Sequence, residues 1–194
     1  MKISAKGLKE SVLKNVKVLT LTFDDSHIET LQRIIACVVS ALKKKKKILL
    51  CGNGGSAADS QHVAAELIGR FKKERRSLPA IALSTDTSII TAVANDYSFE
   101  EIFSRQVEGL GSRGDILIGI STSGNSANVI QAVQAARAHG MKTVSFTGKG
   151  GGRLGKIVDI NFSIESEHTP NIQIGHIVAL HAMCEAVENI LYKS

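Results

Sequence analysis

The stretch ILLCGNGGSAADSQHVAAE, residues 48–66, joins three signals: a short apolar run, a glycine-rich turn, and apolar residues at helical spacing. A buried run leading straight into a helix opens a βα unit, and repeated βα units build a parallel sheet. Four more apolar runs of strand length follow, at 80–83, 116–120, 143–146 and 160–164. Helical patterns separate and follow them, at 57–69, 89–94, 99–110, 127–139 and 172–192. The alternation predicts an α/β protein, a three-layer sandwich around a parallel sheet of five strands. Read as a template, Gly52-x-Gly54-x-x-Ala57 also satisfies the glycine pattern of a dinucleotide-binding turn. The stretch thus raises a choice between NAD and a smaller phosphorylated ligand.

Two helices are expected ahead of the first strand. Leu8, Val12, Val16 and Leu19 mark one, whose narrow apolar stripe needs the core or another subunit to pack on. Ile28, Leu31, Ile35, Val38, Val39 and Leu42 mark the second. The second is expected to begin at a capping box, SHIE at 26–29, with Phe23 as its staple. No repeat or low-complexity linker divides the chain. We expect one domain over 1–194, with 1–47 forming a helical extension and 48–194 the α/β core.

Composition narrows the partners. A chain of 194 residues, 43% hydrophobic, is long enough to bury a core of its own. Its net charge of +6 is nearly accounted for by the five lysines at 43–47, a run expected at a solvated helix end. Aromatic residues make up only 4%, so nothing interleaves with those lysines to stack on bases, and no nucleic-acid partner is expected. Cys37, Cys51 and Cys184 form no CxxC and each lies in an apolar run, as buried free thiols do. The start of the chain has no apolar signal region, and no run approaches the ~20 residues of a membrane span. A cytoplasmic protein without a membrane partner is the expectation.

In such a sheet ligands bind beyond the carboxyl ends of the strands. Those ends read Gly52-Asn53-Gly54-Gly55-Ser56, Ser84-Thr85-Asp86, STSGNS at 121–126, and Thr147-Gly148. Hydroxyls beside free N–H groups at helix starts suit a phosphate monoester. STSGNS alone would serve as well as an N-cap turn; a second hydroxyl-bearing turn, with Ser84 between them, favours a phosphate cradle. The dinucleotide reading needs an acidic residue at the end of the second strand to bind the ribose, where this chain has Ser84. No GxxxxGK[ST] occurs, so a P-loop is excluded, and NAD is not expected.

Groups able to move protons follow the same turns. His62 and Glu66 lie four residues apart on the helix after the glycine turn and share a face. The last helix carries Gln173, His176, His181, Glu185 and Glu188 along an otherwise apolar run. His62, Glu66, Gln173 and His181 could together form a nitrogen–oxygen metal site of the kind zinc accepts, although spacing alone leaves a core histidine and a surface ion pair open. Asn95 and Asp96 close the helix after the second strand, as a cap or as sugar ligands.

CGNGGSAADSQH, LSTDTSIITAVANDYSFEEIFSRQV, GDILIGISTSGNSANVI and TGKGGG together resemble the sugar-isomerase (SIS) domain family, and within it the branch acting on seven-carbon sugar phosphates. The resemblance implies a flavodoxin-like sheet, a homotetramer with sites between subunits, and one zinc ion per subunit. It implies isomerisation of sedoheptulose 7-phosphate to D-glycero-D-manno-heptose 7-phosphate through an enediol, feeding lipopolysaccharide or capsule. By motif, Ser121, Thr122, Ser123 and Ser126, with Ser56, match the phosphate set. Asn53, Gly54, Gly55, Asn95 and Asp96 match the sugar contacts. His62, Glu66, Gln173 and His181 match the metal and catalytic positions, with Glu66 as base and His181 moving protons among the oxygens. Non-catalytic SIS relatives that bind the bacterial replication initiator lack the residues at Glu66 and His181, and both are present here. The family's Arg-Ile-Gln-Glu at the start of the last helix is Asn171-Ile172-Gln173-Ile174 in this chain.

Overall fold

The computed structural model describes residues 4–192. Strands β1 (Ile48–Gly52), β2 (Ala80–Ala82), β3 (Ile116–Ser121), β4 (Lys142–Thr147) and β5 (Ile160–Ser163) form one sheet. Its order is β2-β1-β3-β4-β5 and every pairing is parallel. This is the flavodoxin-like order, in which the winding reverses between β1 and β3.

The strands read as unbroken apolar runs because both faces of the sheet are covered. Ile48 and Leu50 of β1 enter one core and Leu49 and Cys51 the other, all with no exposed surface. The first core is completed by α2 (Asp25–Lys43), α3 (Gly55–Ile68) and α7 (Thr169–Leu191). The second is completed by α5 (Ser104–Leu110) and α6 (Ala127–Ala138), with α4 (Thr87–Asp96) packed at its margin. The three layers follow.

Several boundaries differ from the sequence reading. The helix expected over 99–110 is a short 3-10 turn, Phe99–Glu101, followed by α5, with the buried Ile102 and Phe103 joining the two in right-handed helical dihedrals. Helix α2 is capped by Asp24, not by the SHIE box: its carboxylate accepts the His27 N–H at 3.0 Å and the Ser26 hydroxyl at 2.8 Å. The Asp24 carboxylate starts the helix two residues earlier, by capping the His27 N–H, so Ser26 lies inside the first turn. Phe23 therefore precedes the cap, and its ring packs on Phe162 at 6.0 Å. At the other end Lys44 is the C-cap and Lys47 pairs with the buried Asp115. Helix α7 is long and apolar enough by composition to cross a membrane, which the sequence reading did not expect. Its apolarity is used in the core, against α2 and α3.

Helix α1 (Ala5–Thr22) touches α7 but leaves Leu8, Val12, Leu13 and Val16 more than half or about half exposed. The Leu19 side chain of its expected stripe lies outside the described residues.

Candidate active site at the carboxyl end of β1 and β3

β1 and β3 pair with Gly52 beside Ile120, so the turns that follow them lie side by side at the switch point of the sheet. The first turn needs its glycines. Gly54 has φ +56° and ψ −121°, a conformation essentially restricted to glycine, and a Cβ on Gly52 would fall 2.9 Å or less from Ser56 and the Ile120 carbonyl. The two turns are then locked together. Asn53 Nδ2 donates to Asn128 Oδ1, and Asn128 Nδ2 returns the bond to Asn53 Oδ1, both at 2.9 Å. Asn128, buried in the first turn of α6, was missed in the sequence. STSGNSAN contains it, but nothing local distinguishes it from a cap residue.

The second turn is shaped to receive an anion. Gly124 takes φ +65° and its N–H bonds to the Ser121 carbonyl, folding the turn back on itself. Ser126 occupies the N-cap position of α6 yet makes no capping bond; its hydroxyl contacts that of Ser121 at 2.9 Å. Asn128 Oδ1 accepts the Val129 N–H at 2.9 Å in its place, so the Ser126 hydroxyl is not spent on capping, which favours the phosphate reading over the cap reading. The Ser123 hydroxyl accepts the Asn125 N–H at 3.1 Å, and Thr122 is half-buried beside it. Ser56 is buried near the start of α3, whose N-cap, Gly54, also supplies no side chain.

Helices α3 and α7 lie alongside each other in the same direction, which brings the remaining candidates together. Near the start of α3, Gln173 sits against Gly55, its amide nitrogen occupying the space a Cβ would need. Further along, His62 Nε2 meets His181 Nε2 at 2.8 Å, a contact that needs a proton on one nitrogen and a lone pair on the other. Glu66 Oε1 stands 3.4 Å from His62 Nε2. Burial, with Glu66's charge adding to it, pushes the nearby Cys184 thiol up to about 12, so that cysteine is an inert packing group. Phe71 backs the arrangement, its ring 5.5 Å from that of His181.

Asp59, one turn before His62, was also overlooked, although the 59, 62, 66 spacing was visible in the sequence. Its Oδ2 is buried without a hydrogen-bond partner, and burial raises its carboxyl above the usual range against the opposing pull of His62. His176 is a core histidine. It is fully buried, its Nε2 is 3.0 Å from the Thr147 carbonyl, and burial lowers it to about 4 despite that bond.

Two expected groups stand apart from these contacts. Asn95 and Asp96 are exposed at the end of α4, where the Asn95 amide donates to Asp96 at 2.8 Å, and the helix is capped by Tyr97 instead. Ser84 accepts a long 3.3 Å bond from Gln61 and lies over the Ala57 carbonyl, bracing α3. Asp86 caps α4 by accepting the Ile89 N–H.

The donors suit zinc in kind: two imidazole nitrogens and a carboxylate, with an amide nearby. Among the described residues, however, no three His, Cys, Asp or Glu side chains converge closely enough to hold an ion. Nitrogens sharing a tetrahedral zinc stand about 3.4 Å apart, so the two rings, at 2.8 Å, would part by about half an ångström to admit one.

Residues 13–148 match the SIS domain family. The phosphoheptose isomerase of a Nitratiruptor species is 51% identical over 93% of this chain and 96% of its own length. The chain belongs to the phosphoheptose isomerase family of SIS domains. Solved structures agree: the phosphoheptose isomerase of Neisseria gonorrhoeae superposes with a TM-score of 0.90 at 40% identity, covering 95% of this chain and 98% of the other. That of Francisella tularensis gives 0.92 at 34% identity over 97% and 100%. As a member of the phosphoheptose isomerase family the chain is an enzyme, and these relatives favour the isomerase over the initiator-binding alternative.

Proposed function

We propose that the chain isomerises sedoheptulose 7-phosphate to D-glycero-D-manno-heptose 7-phosphate in the cytoplasm. The observation that carries this reading is the juxtaposition of His181 on α7 with Glu66 and His62 on α3, the helix whose start adjoins the pair of hydroxyl-bearing turns. From Ser56 to His62 helix α3 rises about 9 Å, on the scale of an extended seven-carbon sugar phosphate. Phosphate is held by Ser56, Ser121, Thr122, Ser123 and Ser126. The sugar hydroxyls are met by the first turn and by Gln173. Asn53 spends its amide on Asn128, so it acts by holding the two turns together.

The ketose carries its carbonyl at C2. Glu66 carboxylate takes a proton from C1, giving a cis-enediol, and returns it to C2. His181 moves a proton from the C1 hydroxyl to the C2 oxygen, so that the product has its aldehyde at C1 and a hydroxyl at C2. His62 holds the His181 ring through their shared proton. His62, Glu66, Gln173 and His181 would hold zinc, which would polarise the carbonyl when bound.

The chain acts as one SIS unit, with α1 and α2 part of it, and assembles as a homotetramer. The exposed apolar face of α1 supports that assembly, and Asn95 and Asp96, exposed at the end of α4, serve as sugar ligands in it. Three unpaired cysteines suit the reducing cytoplasm.

The test is incubation with sedoheptulose 7-phosphate, following the aldose phosphate by NMR with and without chelator. Glu66→Gln should abolish turnover and leave inorganic phosphate binding and the melting temperature unchanged. Absence of conversion under every metal condition, or substantial activity in Glu66→Gln, would refute the assignment.

A further inference from the structure

The segment between α3 and β2 carries a basic run, RFKKERR at 70–76, that no role above explains. Its Arg75 side chain is 1% exposed and pairs, Nε to Oε1 at 2.8 Å, with Glu188 of α7, itself 2% exposed. Burying such a pair has a desolvation cost that its attraction commonly no more than offsets, so stability alone is a poor reason to keep it. Where its remaining bonds go is more informative.

Arg75 closes the end of α3. Nη2 donates to the carbonyl of Glu66 at 2.7 Å, and Nη1 donates to that of Leu67 at 2.8 Å. These carbonyls belong to the last turn of the helix and have no intrahelical partner there. Glu188 gathers the segment from the other side. Its two oxygens accept the backbone N–H groups of Phe71, Lys72 and Lys73 at 2.8, 2.9 and 3.0 Å. Burial raises Glu188, but these N–H groups and Arg75 outweigh it and hold the carboxylate at about 2, charged throughout the working pH range. The bond to the Phe71 N–H holds that residue with its ring against His181, and Glu188 lies two helical turns beyond His181 on α7. One pair therefore grips the backbone of Glu66 and the wall behind His181.

We propose that Arg75 and Glu188 are positioning residues that fix Glu66 on α3 relative to His181 on α7. The inference rests on the reading of Glu66 and His181 as the reacting groups.

The test replaces the pair with apolar residues. Arg75→Met combined with Glu188→Leu removes both charges together, a change that buried ion pairs commonly tolerate in folding. The expected double variant folds but melts below the parent, because the Phe71, Lys72 and Lys73 N–H groups and the Glu66 and Leu67 carbonyls lose these partners, and its kcat is lower by about 10²-fold, since an ångström of misplacement has that effect. KM and the inhibition constant of inorganic phosphate should stay within about threefold, because the phosphate turns lie at the other end of α3. A folded double variant with parental kcat would show the pair to be structural only and overturn the proposal. If the double variant does not fold, Arg75→Lys decides. It keeps the charge but loses the fork to the two α3 carbonyls, and kcat should fall about tenfold at unchanged KM; parental kcat would again overturn it. Glu66→Gln measured alongside separates the two claims. Retained activity there condemns the site reading, whereas an inactive Glu66→Gln beside a fully active double variant condemns the positioning role alone.

Discussion

Gly55→Ala is the substitution whose consequences the structure defines most sharply. Gly55 is the first residue of α3 and needs no left-handed conformation, so alanine fits its backbone. A Cβ there would stand 2.2 Å from Gln173 Nε2 and 2.9 Å from its Cδ. Contact distance between heavy atoms is about 3.5 Å, so the Gln173 amide must retreat by more than about 1 Å. The end of a flexible side chain can do this at little cost to folding. Exchanging glycine for alanine at a helical position brings about 0.5–1 kcal/mol of stability. In the site, a displacement of this size is worth about 10²-fold, or nearly 3 kcal/mol of barrier. The expected variant thus melts at or above the parental temperature while kcat/KM for sedoheptulose 7-phosphate falls about a hundredfold. Initial rates of aldose phosphate formation by NMR, with thermal melts by circular dichroism, measure both. Gly54→Ala is the contrasting case. Its Cβ would meet nothing within 4 Å, but its φ of +56° and ψ of −121° strain any side chain, so it should lose about 1–3 kcal/mol of stability where Gly55→Ala loses none. A Gly55→Ala protein that folds and keeps kcat/KM within threefold would remove Gln173 from the site.

Ser126→Ala distinguishes a phosphate ligand from a helix cap. Because Ser126 makes no capping bond, stability should change by less than about 0.5 kcal/mol, while KM and the phosphate inhibition constant rise about tenfold, as for one bond to a charged group. A stability loss of about 1 kcal/mol with unchanged KM would make it a cap after all. His176 should give the fold an acid limit. Its folded value of about 4 lies below the 6.5 of an exposed histidine, so between those pH values the unfolded chain binds one more proton and stability falls as pH falls. The slope is about 1.4 kcal/mol per pH unit, roughly 3 kcal/mol across the window. His176→Leu should flatten urea-denaturation midpoints over that range, the Thr147 carbonyl keeping its bond from the Ile164 N–H; an unchanged slope would refute this.

Much of the molecule follows from short-range pattern. The strand runs, the helices between them and the hydroxyl-bearing turns are legible because each depends on residues within a few positions of one another. The alternation that begins at 48–66 and repeats along the chain implied a parallel sheet, and the glycines of that first turn answer to local backbone geometry at Gly54. The errors are local too: Asp24 starts α2 ahead of the SHIE cap, and the helix expected over 99–110 is divided into a 3-10 turn and α5. Motif resemblance, in turn, named His62, Glu66, Gln173 and His181 without saying which would touch.

Tertiary structure decided the contacts. His62 and His181 are 119 residues apart in the chain and 2.8 Å apart in space. The Asn53–Asn128 amide pair, Gln173 against Gly55, and the Arg75–Glu188 pair are equally non-local. Each arises because the sheet order places β1 beside β3 and α3 beside α7. A side chain's identity and helical face can be read from its neighbours in sequence, but the group it meets depends on how whole elements pack.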